Sequence, residues 1–172
     1  SRIPKIVFEV GCPVLGICYG MQAMVDQLRG LVTSSAKKEY GYANLKITRK
    51  SKLFALLPNE IDVWMSHGDK AIRLPIGFVP IAKTTNTLYA AIEHAGKNFF
   101  GLQFHPEVTH TKHGQAIFKN FVYIVCGCKK LWTANNIICR LVEKTKNTVG
   151  VGKVLLALSG GVDSLVTALL LQ

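Results

Sequence analysis

A chain of 172 residues, 49% hydrophobic and 18% charged, has room for one medium domain, or one domain and part of another, and is too apolar for wholesale disorder. The net charge of +11 invites a nucleic-acid partner, but the basic residues are scattered (Lys37-Lys38, Lys46 to Lys52, Lys129-Lys130, Lys144, Lys146) without a basic helix, an aromatic RNA-binding signature or finger spacing, so no nucleic-acid role is expected. No apolar run reaches the roughly 18 residues of a membrane span, no secretory signal is expected, and five cysteines without framework spacing point to a reducing, cytoplasmic setting.

Ser1 to Val10 has the pattern of a short helix. Val14 to Ile17 is apolar and suits a strand buried on both faces, while Met21 to Leu28 suits a helix. Cys18 falls at the turn between them, with Gly16 two residues before it and Gly20 two after. This is the layout of a nucleophile elbow with sulfur in place of the hydroxyl. Small neighbours relieve the strained backbone there, and the helix N-terminus that follows favours thiolate.

Further along, Leu31 to Lys38 is polar and turn-like, and Glu39-Tyr40-Gly41 is a small punctuated step. Leu45 to Thr48 predicts a strand, Leu53 to Leu57 a helical turn, and Pro58-Asn59 a break. Ile61 to Met65 predicts a strand running into Ser66-His67-Gly68-Asp69. Strands are also expected at Phe78 to Lys83, Leu88 to His94 and Phe99 to Phe104, the last delivering His105-Pro106-Glu107. Gly114 to Val125 has helical spacing, with Ile117, Phe118, Phe121, Val122 and Val125 on one face.

Cys126-Gly127-Cys128-Lys129-Lys130 breaks the composition and suggests a domain boundary, giving domains 1–126 and 127–172. Its C-x-C has no second pair at zinc spacing, so no metal site is expected. Thr133 suits an N-cap for a helix carrying Ile137, Ile138, Leu141 and Val142, and Gly150 and Gly152 close that segment. Lys153 to Leu158 predicts a buried strand, followed by Ser159-Gly160-Gly161-Val162-Asp163-Ser164 and an apolar helical run.

A cysteine nucleophile needs a base, and the base needs a partner that orients it. Among His67, His94, His105, His110 and His113, His105 ends an apolar strand and precedes a rigid proline, and Glu107 can bring a carboxylate to its ring. G-I-C-Y-G-M-Q together with F-H-P-E-V-T-H resembles the class I glutamine amidotransferases, and S-G-G-V-D-S narrows the resemblance to the glutamine-hydrolysing GMP synthase family. Met65 to Asp69, Glu39-Tyr40-Gly41 and Leu131-Trp132-Thr133 are similar to segments of that family, so the resemblance covers nearly the whole chain.

The resemblance implies an α/β fold. It consists of the flavodoxin-like open sheet of a class I glutamine amidotransferase, truncated at its N-terminus, then the first strand, loop and helix of a Rossmann-like ATP pyrophosphatase domain. It implies Cys18, His105 and Glu107 as catalytic triad and the Tyr19 N–H as oxyanion donor. Gln22, Ser66 and His67 would bind glutamine, and Ser159, Gly160, Gly161, Val162, Asp163 and Ser164 would bind ATP. Backbone N–H groups of such a loop can surround a phosphate, although it is not a Walker A sequence. The implied reaction hydrolyses glutamine and uses the ammonia, with ATP and Mg2+, to aminate XMP to GMP. The implied assembly is a homodimer formed through a region this sequence lacks.

Arg29-Gly30 stands where the family has Gly-Gly, and Lys38 and Tyr42 replace its arginines. The family's upstream glycine-rich oxyanion loop and most of its ATP domain have no counterpart in these residues, so a fragment, inactive alone in GMP synthesis, is expected. Two other readings remain at this point: a different class I amidotransferase or γ-glutamyl hydrolase, which the Ser159–Ser164 loop disfavours, and a non-catalytic remnant that only binds.

Overall fold

The computed structural model describes residues 2–131 and 133–171. Trp132 of the Leu131-Trp132-Thr133 segment lies outside the described residues. The chain divides into two compact units, Ser1–Cys128 and Lys129–Gln172.

The first unit is built on a six-stranded sheet. A short helix α1 (Ile6–Glu9) leads into β1 (Val14–Ile17), α2 (Tyr19–Gln27) and the long antiparallel pair β2 (Leu31–Ile47) and β3 (Glu60–Arg73). β4 (Phe78–Lys83), β5 (Ala91–His94), β6 (Phe99–Leu102) and α3 (Gly114–Lys119) follow. The strand order is β1-β6-β5-β4-β2-β3. β1 and β6 run parallel, whereas β6 with β5, β5 with β4, β4 with β2 and β2 with β3 are antiparallel. The open α/β sheet is therefore mixed.

Alternate residues of the strands feed opposite faces, as the two-residue period of a pleated strand requires. Ala91, Phe100 and Leu102 join one core with Leu45, Val63, Phe104 and Ile117. Ile92 and Phe99 join the other, with Met21, Met24 and Val25 of α2. Helix α2 thus covers one face, and α3 covers the other together with the Lys52–Phe54 turn. Asn120 fastens this second layer by donating its side-chain amide to the carbonyls of Leu53, at 3.1 Å, and Ala55, at 2.9 Å.

Several local expectations change. Leu31 to Lys38 lies within a strand and not in a turn, because Leu31 to Ser34 before the bulge and Glu39 after it pair with β3, which supplies backbone partners that the polar sequence does not advertise. The register shifts between Leu31 and Val32 and again between Ser34 and Glu39, where residues 35–38 bulge opposite Gly68. The helix expected over Gly114 to Val125 is α-helical only to Lys119 and then widens into a π turn over Asn120–Val125.

In the second unit Thr133 caps α4 (Ala134–Val149), its side chain accepting from the Asn136 N–H at 3.3 Å. Lys153 to Leu158, expected as a buried strand, pairs with no strand and is largely exposed, so the predicted strand-loop-helix is present only as loop and helix. A strand needs a neighbour for its N–H and C=O groups, and the described residues of this unit contain none. Ser159–Gly161 then leads into α5 (Val162–Leu171).

Candidate active site

The site grows out of the parallel pair. Ile17 at the end of β1 lies beside Leu102 at the end of β6, so the residues after each strand emerge at the same carboxyl edge of the sheet. This is where open α/β sheets place their ligands. Cys18 follows β1, and its N–H donates to the Leu102 carbonyl at 2.7 Å. Its φ of 48° and ψ of −106° put a non-glycine residue in a rarely occupied backbone region immediately before α2. The elbow expected at Gly16-Ile17-Cys18-Tyr19-Gly20 is formed.

The two glycines differ in what they do. A Cβ on Gly16 would come within 2.8 Å of backbone atoms of Gly20 and Met21, so the strand and the start of α2 can approach only if residue 16 is bare. A Cβ on Gly20 would meet nothing within 4 Å.

Around the Cys18 sulfur three elements converge. The Ser66 carbonyl of β3 lies 3.8 Å from Sγ, and the Gln103 side-chain amide donates to Sγ at 3.7 Å. Burial pushes the Cys18 thiol above its ordinary value; the Tyr19 N–H and the Gln103 amide pull it back in part, and the Glu107 carboxylate adds a smaller upward push. The resting sulfur is therefore not the ready thiolate expected from the helix N-terminus alone.

His105 stands three residues beyond the end of β6, its Nδ1 2.6 Å from Glu107 Oε1. A carboxylate can only accept, so Nδ1 carries the hydrogen and Nε2 is left as the basic nitrogen. The backbone of this turn is held twice by Trp64. The His105 N–H donates to the Trp64 carbonyl at 2.9 Å, and Thr111, 4% exposed, accepts from the Trp64 N–H at 3.0 Å while donating to the His105 carbonyl at 2.6 Å. Helix α3 begins against the same turn: a Cβ on Gly114 would run into the Pro106 carbonyl.

The remaining expected residues fall into place unevenly. Gln22 is buried behind the elbow, its amide donating to the Asp69 carbonyl at 2.8 Å and to Gln103 Oε1 at 3.2 Å. Ser66 is exposed and contributes its carbonyl, whereas the His67 side chain, only 2% exposed, turns inward toward Glu39. Ser66 and His67 lie within β3 and not in a turn, and any hold of this segment on a ligand passes through Ser66 and the backbone. Gln103 and Thr111 carried no role in the sequence, since a glutamine closing an apolar strand and a threonine in a polar loop look like many others. Of the other histidines, His94 accepts from the N–H groups of Gly96 and Lys97, and His110 stacks on Trp64 with ring centroids 4.3 Å apart.

In the second unit the Ser159–Ser164 loop is closed on itself. Ser164 Oγ donates to the Gly161 carbonyl at 2.9 Å, the Gly161 N–H donates to Ser159 Oγ at 3.4 Å, and Gly160 has a φ of +80° that favours glycine. Among the described residues no group of three or more His, Cys, Asp or Glu side chains could hold a metal ion, and no helix is long and apolar enough to cross a membrane.

A strained cysteine elbow and a histidine–glutamate pair, at the ends of adjacent parallel strands, belong to a recognisable class: the profile of the class I glutamine amidotransferases matches residues 2–125, and the chain is a member of that family. Within it, the chain is 50% identical over 171 residues to the GMP synthase [glutamine-hydrolyzing] of Vibrio vulnificus (strain YJ016), covering 99% of this chain and 33% of that protein. It is 52% identical over 169 residues to the enzyme of the same name from Aliivibrio fischeri (strain ATCC 700601 / ES114), covering 98% and 33%. The chain thus spans about a third of the length of the curated relatives it matches. Among solved structures, a Thermoplasma acidophilum protein described as one subunit of a GMP synthase superimposes with a TM-score of 0.68 at 32% identity, covering 72% of this chain and 61% of that one.

Proposed function

We propose that this chain carries the glutaminase half of a glutamine-hydrolysing GMP synthase, with Cys18, His105 and Glu107 as its catalytic triad. The observation that supports it most directly is the strained Cys18 at the end of β1 beside the β6 turn that holds the His105–Glu107 pair. In this reading Cys18 transfers its proton to His105 Nε2 and attacks the side-chain carbonyl of glutamine. The C–S bond forms, the oxyanion is met by the Tyr19 N–H, and collapse breaks the C–N bond as His105 returns the proton to the departing ammonia. His105 then takes a proton from water, whose oxygen attacks the γ-glutamyl thioester, and glutamate leaves as the thiol is restored. Ser66 would face the glutamine, with Gln22 buried behind it and acting through Gln103.

The relatives' name speaks of GMP formation with hydrolysis of glutamine; in our reading the ammonia would serve an ATP-dependent amination of XMP to GMP, in purine nucleotide synthesis in the cytoplasm. Ser159, Gly160, Gly161, Val162, Asp163 and Ser164 would meet the ATP pyrophosphate through backbone N–H groups at the start of α5. Mg2+ would accompany that ATP, but the described residues supply no cluster of His, Cys, Asp or Glu to hold it. Dimerisation would use a region outside this chain.

A glutamine-derived chloromethyl ketone tests the proposal. We expect one covalent adduct, at Cys18 by peptide mapping, protected by excess glutamine and abolished in Cys18→Ala. In a protein carrying both halves, Cys18→Ala should lose glutamine-dependent but keep ammonia-dependent synthesis. An adduct at the exposed Cys12, or none at all, would refute the assignment.

A further inference from the structure

One buried polar cluster of the first unit has no part in the steps above. Glu39 and His67 face each other in the antiparallel register of β2 and β3, and both are almost fully buried. Thr84 donates to Glu39 Oε1 at 2.9 Å, and Thr87 donates to Glu39 Oε2, so both carboxylate oxygens accept. His67 Nε2 lies 3.4 Å from Oε2, and its Nδ1 lies 2.9 Å from the Asp69 carbonyl. That carbonyl can only accept, so Nδ1 carries a hydrogen.

The same Asp69 oxygen also receives Gln22, and this fixes everything downstream. The atom of the Gln22 amide that faces a carbonyl must be its nitrogen, whose contact with Gln103 must then reach Oε1. Gln103 is thereby left with Nε2 toward the Cys18 sulfur. Donor and acceptor directions are consistent from His67 through Asp69, Gln22 and Gln103 to Cys18, and Thr84 and Thr87 both donate to Glu39; between Glu39 and His67 the link is the 3.4 Å approach of buried Nε2 to Oε2, an ion pair when both ring nitrogens carry hydrogen and not a hydrogen bond. Buried polar networks of this kind are conformationally exacting, because any member left unpaired in the interior is costly.

We infer that Glu39 and His67 are positioning residues for the glutaminase centre: as a buried cross-strand pair they hold the Asp69 carbonyl where it fixes Gln22, and through Gln22 orient the Gln103 amide on Cys18. The inference rests on the glutaminase reading and adds to it two residues that touch neither sulfur nor substrate. It also gives His67 a role behind the site in place of direct contact with glutamine.

The test compares the parent chain with Glu39→Gln, which keeps size but removes the charge and one acceptor. The readouts are the saturation constant and limiting rate of Cys18 alkylation by the glutamine-derived chloromethyl ketone, alongside thermal unfolding. Loss of this anchor should lower the limiting rate about tenfold with little change in saturation constant, because the Gln103 amide acts on the sulfur and not on the ligand. A merely structural pair would lower the unfolding temperature and the fraction that reacts, while leaving the limiting rate of the reacting fraction unchanged; that result overturns the inference alone. Failure of the parent chain to react at Cys18 overturns the glutaminase reading and this inference with it. Nitrogen-15 spectra of the parent imidazoles supply a check that requires no variant: His67 should carry a hydrogen on Nδ1, and a bare Nδ1 would overturn the relay.

Discussion

At Cys18 two opposing influences act on one sulfur. Burial and the Glu107 carboxylate favour the thiol, whereas the Tyr19 N–H and the Gln103 amide favour the thiolate. With burial the largest of these, the resting group is a thiol, and a base has to remove its proton as the bond forms. His105 suits this, because Glu107 occupies Nδ1 and leaves Nε2 to accept. On the proposed mechanism, His105→Ala should slow glutamate release from glutamine about a thousandfold or more, whereas Glu107→Gln, which keeps the base but weakens its orientation, should cost less. Steady-state glutamate assays on the two variants check this, and equal or negligible losses would reduce His105 to a structural residue. Gln103 belongs at this scale too: it is 0% exposed and lies between Cys18 and Gln22, so its role is set by what surrounds it.

Among the elements, the β1–α2 unit carries the tightest constraints. Gly16 lets α2 start against the strand, and a Cβ on Gly101 of β6 would come within 2.7 Å of Met21 Cγ, so the helix rests on two bare backbone positions. At the exit of α2, Arg29 adopts a φ of 73°, the left-handed region that a glycine fills without steric cost. The family resemblance places Gly at this position, so the departure read in the sequence coincides with local strain. Arg29→Gly should raise stability by up to about 1 kcal/mol, the relief of the left-handed penalty less the added entropy of the unfolded chain. Chemical denaturation of parent and variant measures it, and a lower midpoint would show that the Arg29 side chain contributes more than its backbone loses. Elsewhere, the bulge of residues 35–38 in β2 immediately precedes Glu39, whose carboxylate anchors the buried pair with His67.

At the scale of the whole molecule, the first unit has two cores, one on each face of its sheet. α4 and α5 contain no buried residue, and Leu155, Leu165 and Leu169 are 100%, 59% and 66% exposed. A nucleotide site requires walls on several sides, and here the proposed phosphate loop is backed by two helices without a strand. We therefore expect the 172-residue chain, given XMP, Mg-ATP and ammonia, to form no GMP. Chromatographic detection of GMP against a control without protein decides the matter, and any excess would show that the loop and its helix do more than hold a phosphate.

Much of the site was legible in the chain because its signals are local. A cysteine between glycines at a strand-to-helix change can be read within ten residues, as can a histidine two places from a glutamate after an apolar strand. The helix cap at Thr133 is likewise written in its immediate neighbours. Tertiary structure decided what depends on distant partners. Pairing with β3 on both sides of the 35–38 bulge draws Leu31 to Lys38 into a strand, and the lack of a pairing partner among the described residues leaves Lys153 to Leu158 irregular. Burial raises the Cys18 thiol that the helix N-terminus alone would have lowered. His67 turns toward Glu39 because the two are paired across β2 and β3, 28 residues apart in the chain and adjacent in the sheet. Glycine placement and capping act over one turn of chain and leave their mark in sequence, whereas strand register and desolvation are properties of the packed sheet.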